Sequence, residues 1–142
     1  MITRFSGEFR WLSNFTSCFV SLDGAAYSST ENAYQAAKTL DPEYRARFIG
    51  VSPGAAKRLG GQVPIRPDWE DVRVRIMEDL TRQKYSCNPL RSKLLKTGSK
   101  YIIEGNTWGD TFWGVCDGDG ENHLGHIIMK IRAELQSSPV CS

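Results

Sequence analysis

The chain has 142 residues, enough for one domain that buries roughly two-thirds of the surface its unfolded form exposes. Hydrophobic residues make up 40% and charged residues 24%, which is typical of a soluble globular protein. The net charge of +2 is too small to indicate a nucleic-acid partner, and no window approaches the ~18 apolar residues of a membrane span. The four cysteines form no C-x-x-C pair and the first residues lack the apolar run of a signal peptide. We therefore expect a cytoplasmic protein with reduced thiols.

The first part of the chain predicts a hairpin followed by a helix. Residues 18–28 alternate in polarity around Asp23-Gly24, the strongest short hairpin signal. Ser28 and Glu31 have the spacing of a capping box, in which each side chain satisfies an unpaired amide. This pattern predicts a helix over residues 29–40.

Further helices are predicted to the end of the chain. Pro42 and Pro53 suit first helical positions, and the two helices are expected to end at Gly50 and at Gly60-Gly61. Three more are expected: one after Asp68, one from Asn88-Pro89 to Gly98, and a last amphipathic helix with an apolar stripe of Leu124, Ile127, Ile128, Ile131 and Leu135. The first of these three has an apolar stripe formed by Trp69, Val72, Ile76 and Leu80, with Met77 beside it as a further core residue. Because strands do not alternate with helices, we predict a helix-rich α+β domain over residues 1–136 and a flexible tail at 137–142.

A loop rich in Gly, Asp, Asn and Trp lies between a short predicted strand at residues 101–103 and the last helix. Two acids, Glu104 and Asp110, and two large rings, Trp108 and Trp113, lie within ten residues of each other. Such loops often carry function, and acids beside flat aromatic walls suit a nucleotide or a sugar. A structural loop with buried tryptophans is the alternative interpretation.

The first predicted helix carries an acid and an amine on one face. A step of seven residues is close to two full turns, so Glu31 and Lys38 would point the same way, about 10 Å apart. Such a pair could grip a sugar phosphate from two sides. The structural alternatives are that Glu31 closes the capping box and that Lys38 complements the helix dipole.

Metal and cofactor sites are not expected. The segment from Asp117 to Asn122 resembles a calcium loop, but Asn122 replaces the required glycine and Ile128 cannot supply the final carboxylate. His123 and His126 have no third ligand at a recognised spacing. Phosphate-loop and nucleophile-elbow motifs are also absent from the sequence.

Taken together, several segments resemble the NADAR, or YbiA-like, family. They are W-L-S-N-F at 11–15, S-S-T-E-N-A-Y-Q-A-A-K at 28–38, the helix with Trp69 and Met77, L-L-K-T-G at 94–98, Glu104, D-T-F-W-G at 110–114, and E-N-H-L-G at 121–125. The resemblance implies a compact helix-rich fold and N-glycosidase activity without a cofactor. The implied substrates join a nucleobase or similar amine to ADP-ribose or phosphorylated ribose. Examples are ADP-ribosylated guanine, free or within DNA, and phosphoribosylamino intermediates of riboflavin synthesis.

The residues found above suit this chemistry. Breaking the C–N bond builds positive charge on the sugar, so an acid near the leaving base and a carboxylate opposite the sugar both assist. We predict Glu31 as the acid/base, with Asp110 or Glu104 as its carboxylate partner. Lys38 would bind phosphate or, as the resemblance suggests, attack C1 as a Schiff-base nucleophile. The other predicted substrate-binding residues are Asn14, Phe15, Trp69, Trp113, Gly114 and Asn122, with phosphate held by backbone amides between 114 and 125.

Two other classes of function are weighed against the enzyme. The first is a non-catalytic module that binds NAD or ADP-ribose. The second, a basic DNA-binding domain, is disfavoured by the near-balanced charge. Direct attack by water and a Lys38 Schiff base are both consistent with the sequence, and the oligomeric state is left open.

Overall fold

The computed structural model describes residues 1–138, in which the backbone forms two units. The terminal unit comprises Met1–Ser13 and the described residues from Tyr85 onward, and the middle unit comprises Asn14–Lys84. Helices predominate and strands are short in both units, which confirms the predicted helix-rich α+β class. Within residues 1–138, no helix is both long and apolar enough to cross a membrane.

The middle unit begins with the predicted hairpin. Strands β1 (Ser17–Leu22) and β2 (Ala25–Ser29) pair antiparallel through a two-residue turn. Asp23 and Gly24 have φ angles of 48° and 86°, the positive values that such a turn requires. Four helices follow: α1 (Thr30–Ala36), α2 (Pro42–Ala46), α3 (Pro53–Gly60) and α4 (Trp69–Lys84).

Helix α1 is the core of this unit and is shorter than predicted. All seven of its residues are buried, and it packs against the hairpin, α3 and α4. Because β2 extends through Ser29, the helix is capped by Ser29, which accepts from the amide of Asn32 at 3.0 Å. The predicted capping box of Ser28 and Glu31 is therefore wrong.

The C-terminal end of α1 also differs from the prediction. The amides of Lys38 and Thr39 bond three residues back, which tightens the last turn. The Lys38 carbonyl then accepts from the amide of Arg66 at 2.7 Å, a contact that lies outside any helix. Lys38 therefore lies in a turn rather than on α1. Helix α2 likewise ends at Ala46 rather than at Gly50.

The terminal unit holds the remaining elements. It contains a 3-10 helix (Gly7–Leu12), α5 (Leu90–Lys96), a parallel pair of two-residue strands, β3 (Gly105–Asn106) and β4 (Val115–Cys116), and α6 (His123–Ser137). The strand predicted at 101–103 is reduced to one parallel bridge between Ile2 and Ile102.

Helix α6 confirms the predicted amphipathic stripe. It buries Leu124, Ile127, Ile128 and Ile131 and runs through Ser137, the first residue of the predicted tail. Residues 139–142 lie outside the described part of the chain.

Candidate active site

Glu31 lies in the first turn of α1, and its carboxylate is held inside the middle unit. The residue is 8% exposed. Its amide donates to the carbonyl of Asn14 at 3.1 Å, and its Oε2 accepts from Nε2 of Gln35 at 2.6 Å. An amide donor one turn further along the helix holds one carboxylate oxygen in place.

Lys38 lies two residues beyond α1, half-buried. Burial lowers the pKa of its amine, the nearby Glu31 carboxylate opposes this shift, and the positive charges of Lys57 and Arg73 add to it. The prediction that Lys38 shares a helix face with Glu31 is wrong, since the helix ends at Ala36. The structure still brings the two side chains within electrostatic reach of each other. A lysine in such surroundings is more readily neutral, the form that a nucleophile needs.

The other predicted residues of the middle unit lie near α1 and α4. Asn14 donates from Nδ2 to the sulfur of Met77 at 3.6 Å, and Phe15 is 44% exposed. Trp69 is 6% exposed and packs on Tyr34, with ring centroids 5.1 Å apart. Met77 is 1% exposed, so the core positions predicted for Trp69 and Met77 are confirmed, whereas Ile76 of the predicted stripe is only half-buried. Stacking of Trp69 on a base stays a prediction.

In the terminal unit, Asp110 organises the loop that follows β3. Its Oδ1 accepts from the amides of Phe112 and Trp113 at 3.1 and 2.9 Å. Its own amide donates to Oδ1 of Asn106 at 3.0 Å. Oδ1 of Asp110 therefore stabilises the backbone of this loop, whether or not the carboxylate also takes part in a reaction. The Trp113 ring is half-buried, edge-on to Phe112 at 4.9 Å.

Glu104 and Gly114 approach each other closely in the same unit. The carboxylate of Glu104 accepts from Nδ2 of Asn106 at 3.0 Å, and its carbonyl accepts from Val115 at 2.9 Å. A Cβ on Gly114 would overlap both the carboxylate and the carbonyl oxygen of Glu104. Glycine at this position therefore makes room for the acid.

Asn122 holds two backbone segments together. It has a left-handed backbone with φ 55° and is 4% exposed. Its side-chain oxygen accepts from the amide of Glu104 at 2.9 Å, while its nitrogen donates to the carbonyl of Ile102 at 3.0 Å. These contacts give Asn122 a clear structural role, and its predicted contact with substrate stays a prediction.

The predicted phosphate cradle between residues 114 and 125 is wrong for most of its amides. Each of the following donates to a backbone carbonyl of the terminal unit: Val115, Cys116, Asp119, Glu121, Asn122, His123 and Leu124. Amides used in this way hold the loop and the start of α6 instead of facing a ligand.

Sequence reasoning missed two residues that shape the sites. Asn106, 8% exposed, contacts both predicted acids of the terminal unit, Glu104 and Asp110. In the sequence, its position inside the predicted polar loop was the feature that could have identified Asn106. Gly60 on α3 lies directly against the side chain of Gln35, and no sequence pattern marks that contact. Among the described residues, no three His, Cys, Asp or Glu side chains group to hold a metal ion.

The helix-rich α+β fold places the buried acid Glu31 within electrostatic reach of Lys38, an amine of lowered pKa. Such a combination is typical of a catalytic centre. The chain belongs to the NADAR domain family, whose profile matches residues 4–136. It is similar to the solved structure of the Escherichia coli protein YbiA, with a TM-score of 0.81, 31% identity, and coverage of 96% of this chain and 87% of that one.

Two curated relatives agree with this assignment. The chain is 34% identical over 135 residues to the N-glycosidase YbiA of Escherichia coli strain K12, which covers 92% of the chain and 84% of that protein. It is 37% identical over 131 residues to a riboflavin biosynthesis protein of Vibrio vulnificus. That match covers 89% of the chain but only 35% of the relative, so the chain spans about a third of its length.

Proposed function

We propose that this chain is an N-glycosidase that releases a nucleobase or related amine from ADP-ribose or ribose phosphate. Membership of the NADAR family and 34% identity to the N-glycosidase YbiA support the enzyme class, hydrolysis of N-glycosyl bonds. The name of the Vibrio relative, a riboflavin biosynthesis protein, supports an intermediate of that synthesis as one substrate, and we propose a phosphoribosylamino-pyrimidine. ADP-ribosylated guanine, free or within DNA, is the other proposed substrate. The proposed compartment is the cytoplasm, which the free thiols of Cys18, Cys87 and Cys116 support.

The observation that carries this proposal is the pairing of Glu31 with Lys38. The buried carboxylate lies close enough to influence an amine whose pKa burial has lowered. An acid and a readily neutral amine are the two groups needed to protonate a leaving base and to attack a sugar carbon. Burial shifts the pKa of Lys38 in the direction that a nucleophilic amine needs, and phosphate binding by the charged amine is the alternative role.

In the proposed reaction, the bond from C1 to the ring oxygen breaks, the proton of the glycosidic N–H moves to that oxygen, and C1 becomes an imine of the leaving amine. The neutral Lys38 nitrogen forms a bond to C1, and the Glu31 carboxylate takes a proton from that nitrogen. The bond from C1 to the base nitrogen then breaks as Glu31 passes this proton to the departing amine and the second Lys38 N–H proton moves the same way, which leaves Lys38 joined to C1 as an imine. Water then hydrolyses the Lys38 imine, which returns the free amine and leaves the sugar as an aldehyde. Asp110, with Glu104 as the alternative, is the proposed second carboxylate.

The reaction is tested directly on the two substrates. The protein is incubated with an ADP-ribosylated guanine, as nucleotide and within a DNA oligonucleotide, and with a phosphoribosylamino-pyrimidine. Released base and sugar are followed by chromatography and mass spectrometry. Release from at least one substrate, lost in Glu31→Gln, is expected. A folded protein that binds ADP-ribose in a calorimeter and releases no base would instead be a non-catalytic binding module.

The role of Lys38 is tested by trapping. Borohydride added during turnover is expected to reduce the imine and leave the sugar attached to Lys38, which peptide mass spectrometry locates. Lys38→Arg, which keeps the charge, should give no adduct. Turnover with no adduct would indicate direct attack by water, with Lys38 as a phosphate ligand.

A further inference from the structure

We propose that Gln35 is a positioning residue for Glu31, and that Gly60 is glycine in order to admit the Gln35 side chain. This inference rests on the proposed catalytic role of Glu31. Gln35 lies one turn after Glu31 on α1 and is 5% exposed. Its Nε2 donates to Oε2 of Glu31 at 2.6 Å, a short bond of the charge-assisted kind.

The chemistry of the pair fixes the orientation of the amide. An ionised carboxylate only accepts hydrogen bonds, so the Gln35 nitrogen must face Glu31 and the oxygen must point away. That oxygen is buried and has no hydrogen-bond partner among the described residues. Leaving a buried carbonyl oxygen without a hydrogen bond is destabilising, and an apolar side chain of similar length would avoid this cost. Gln35 is therefore less stabilising at this position than an apolar side chain, but it provides a hydrogen-bond donor to Glu31.

Helix α3 completes the arrangement. A Cβ on Gly60 would overlap the Gln35 oxygen and lie 2.7 Å from its Cδ and 3.2 Å from its Cβ. The Gln35 side chain is thus confined between Glu31 on its own helix and the backbone of α3. Any side chain at position 60 would push the amide away from its present place. By contrast, a Cβ on Gly54 of the same helix would have only the Arg58 guanidinium nearby, at 3.8 Å.

The arrangement has a chemical consequence for Glu31. The Gln35 donor stabilises the carboxylate over the acid, so it holds Glu31 ready to accept a proton or to face a developing positive charge. It also fixes the rotamer of a side chain that must act at one atom of the substrate. A merely structural glutamine would affect folding stability without changing the titration of Glu31.

The test measures the titration of the Glu31 carboxyl carbon by NMR in protein with ¹³C-labelled glutamate. Gln35→Met removes the donor and keeps the length, and its titration midpoint is expected to rise by about one pH unit. Gln35→Glu should raise the midpoint further, because two facing carboxyls share a proton. On an active substrate, kcat of Gln35→Met is expected to fall about tenfold, with a smaller change in KM. An unchanged midpoint in both variants would overturn the proposal.

Gly60 is tested by a double-mutant cycle. Gly60→Ala should raise the Glu31 midpoint in the wild-type background and have a much smaller effect on it in Gln35→Ala, where the amide is absent and only the 3.2 Å approach to the Cβ of residue 35 remains. Gly54→Ala is the matched control and should leave the midpoint in place. A wild-type midpoint in Gly60→Ala, or equal shifts in both backgrounds, would contradict the role of Gly60. If Gly60→Ala does not fold by itself, recovery of folding in the double variant with Gln35→Ala is expected, and failure to fold in both backgrounds would contradict the role of Gly60.

The titration requires no turnover, so the two proposals fail separately. A wild-type protein that releases no base, but whose Glu31 midpoint responds to Gln35, would remove the proposed function and leave the coupling of Gln35 to Glu31 intact. Release of base by a protein whose Glu31 midpoint is unchanged in the Gln35 variants would support the proposed function and contradict the coupling of Gln35 to Glu31.

Discussion

The carboxylate of Glu104 occupies the space in which a residue other than glycine at position 114 would place its Cβ. We therefore expect Gly114→Ala to be destabilised by about 1–3 kcal/mol, the usual cost of overpacking a filled site. Urea unfolding measures the difference. Gly54→Ala, a glycine-to-alanine change in an open helical position, should be neutral or stabilising by up to about 1 kcal/mol. Equal stabilities for the two variants would show that the loop yields without cost.

Asp110 offers a pair of variants that separates loop structure from charge. Asp110→Ala leaves the amides of Phe112 and Trp113 without their acceptor and should lower the free energy of unfolding by about 1–3 kcal/mol. Asp110→Asn keeps an acceptor oxygen and should retain most of that stability. If Asp110 is also the second carboxylate, Asp110→Asn should still lose most of its activity. Full activity in a stable Asp110→Asn variant would show that Asp110 has only its structural role. Glu104 would then be the proposed second carboxylate.

Glu31→Gln is expected to lower kcat by about 10²–10⁴, the range for loss of a general acid/base. The Gln35 amide can still donate to the new carbonyl oxygen, so the melting temperature should change little. Steady-state kinetics and thermal unfolding are measured together. Glu43→Gln, at an exposed position of α2, is the control and should match the wild type in both measurements.

The charge of Lys57 is expected to set part of the pH dependence. Lys57 and Arg73 disfavour the protonated amine of Lys38 and so lower its pKa. Removing one positive neighbour in Lys57→Gln raises the Lys38 pKa, because the ammonium form is repelled less. The rising limb of kcat/KM, which follows loss of that proton, should then move to higher pH. Lys57→Arg keeps the positive charge, so its rising limb should lie at the same pH as that of the wild type. A rising limb that does not move in Lys57→Gln would exclude Lys38 as the titrating group.

Lys84, at the end of α4, links stability to pH. Burial lowers the pKa of its amine from 10.5 to about 7. Between these two values the unfolded chain binds the proton and the folded chain does not, so folding stability rises with pH through this window. Below pH 7 the folded and unfolded chains both bind the proton, so the cost of burying the charged Lys84 amine is then fully present. We expect Lys84→Met to flatten this rise, measured by urea unfolding at pH 6, 8 and 9.5. An equal slope in the variant would assign the rise to other groups.

Elements whose signals are local could be predicted from the amino-acid sequence alone. Asp23-Gly24 fixed the hairpin, since its two positive φ angles suit few residue types. Pro53 and Gly60 bounded α3, and the apolar stripe of α6 identified the face that is buried. The acid and the amine were also found from sequence, because their residue types and the family resemblance carry that chemistry.

How these residues are held depends instead on tertiary contacts. The contact between the Arg66 amide and the Lys38 carbonyl joins segments far apart in sequence and takes Lys38 out of a helix that local propensity would continue. The lowered pKa of Lys38 depends on burial and on charges from α3 and α4. The space for Gln35 depends on Gly60, twenty-five positions away. Desolvation and steric fit arise between distant parts of the chain, so the pattern of neighbouring residues cannot supply them.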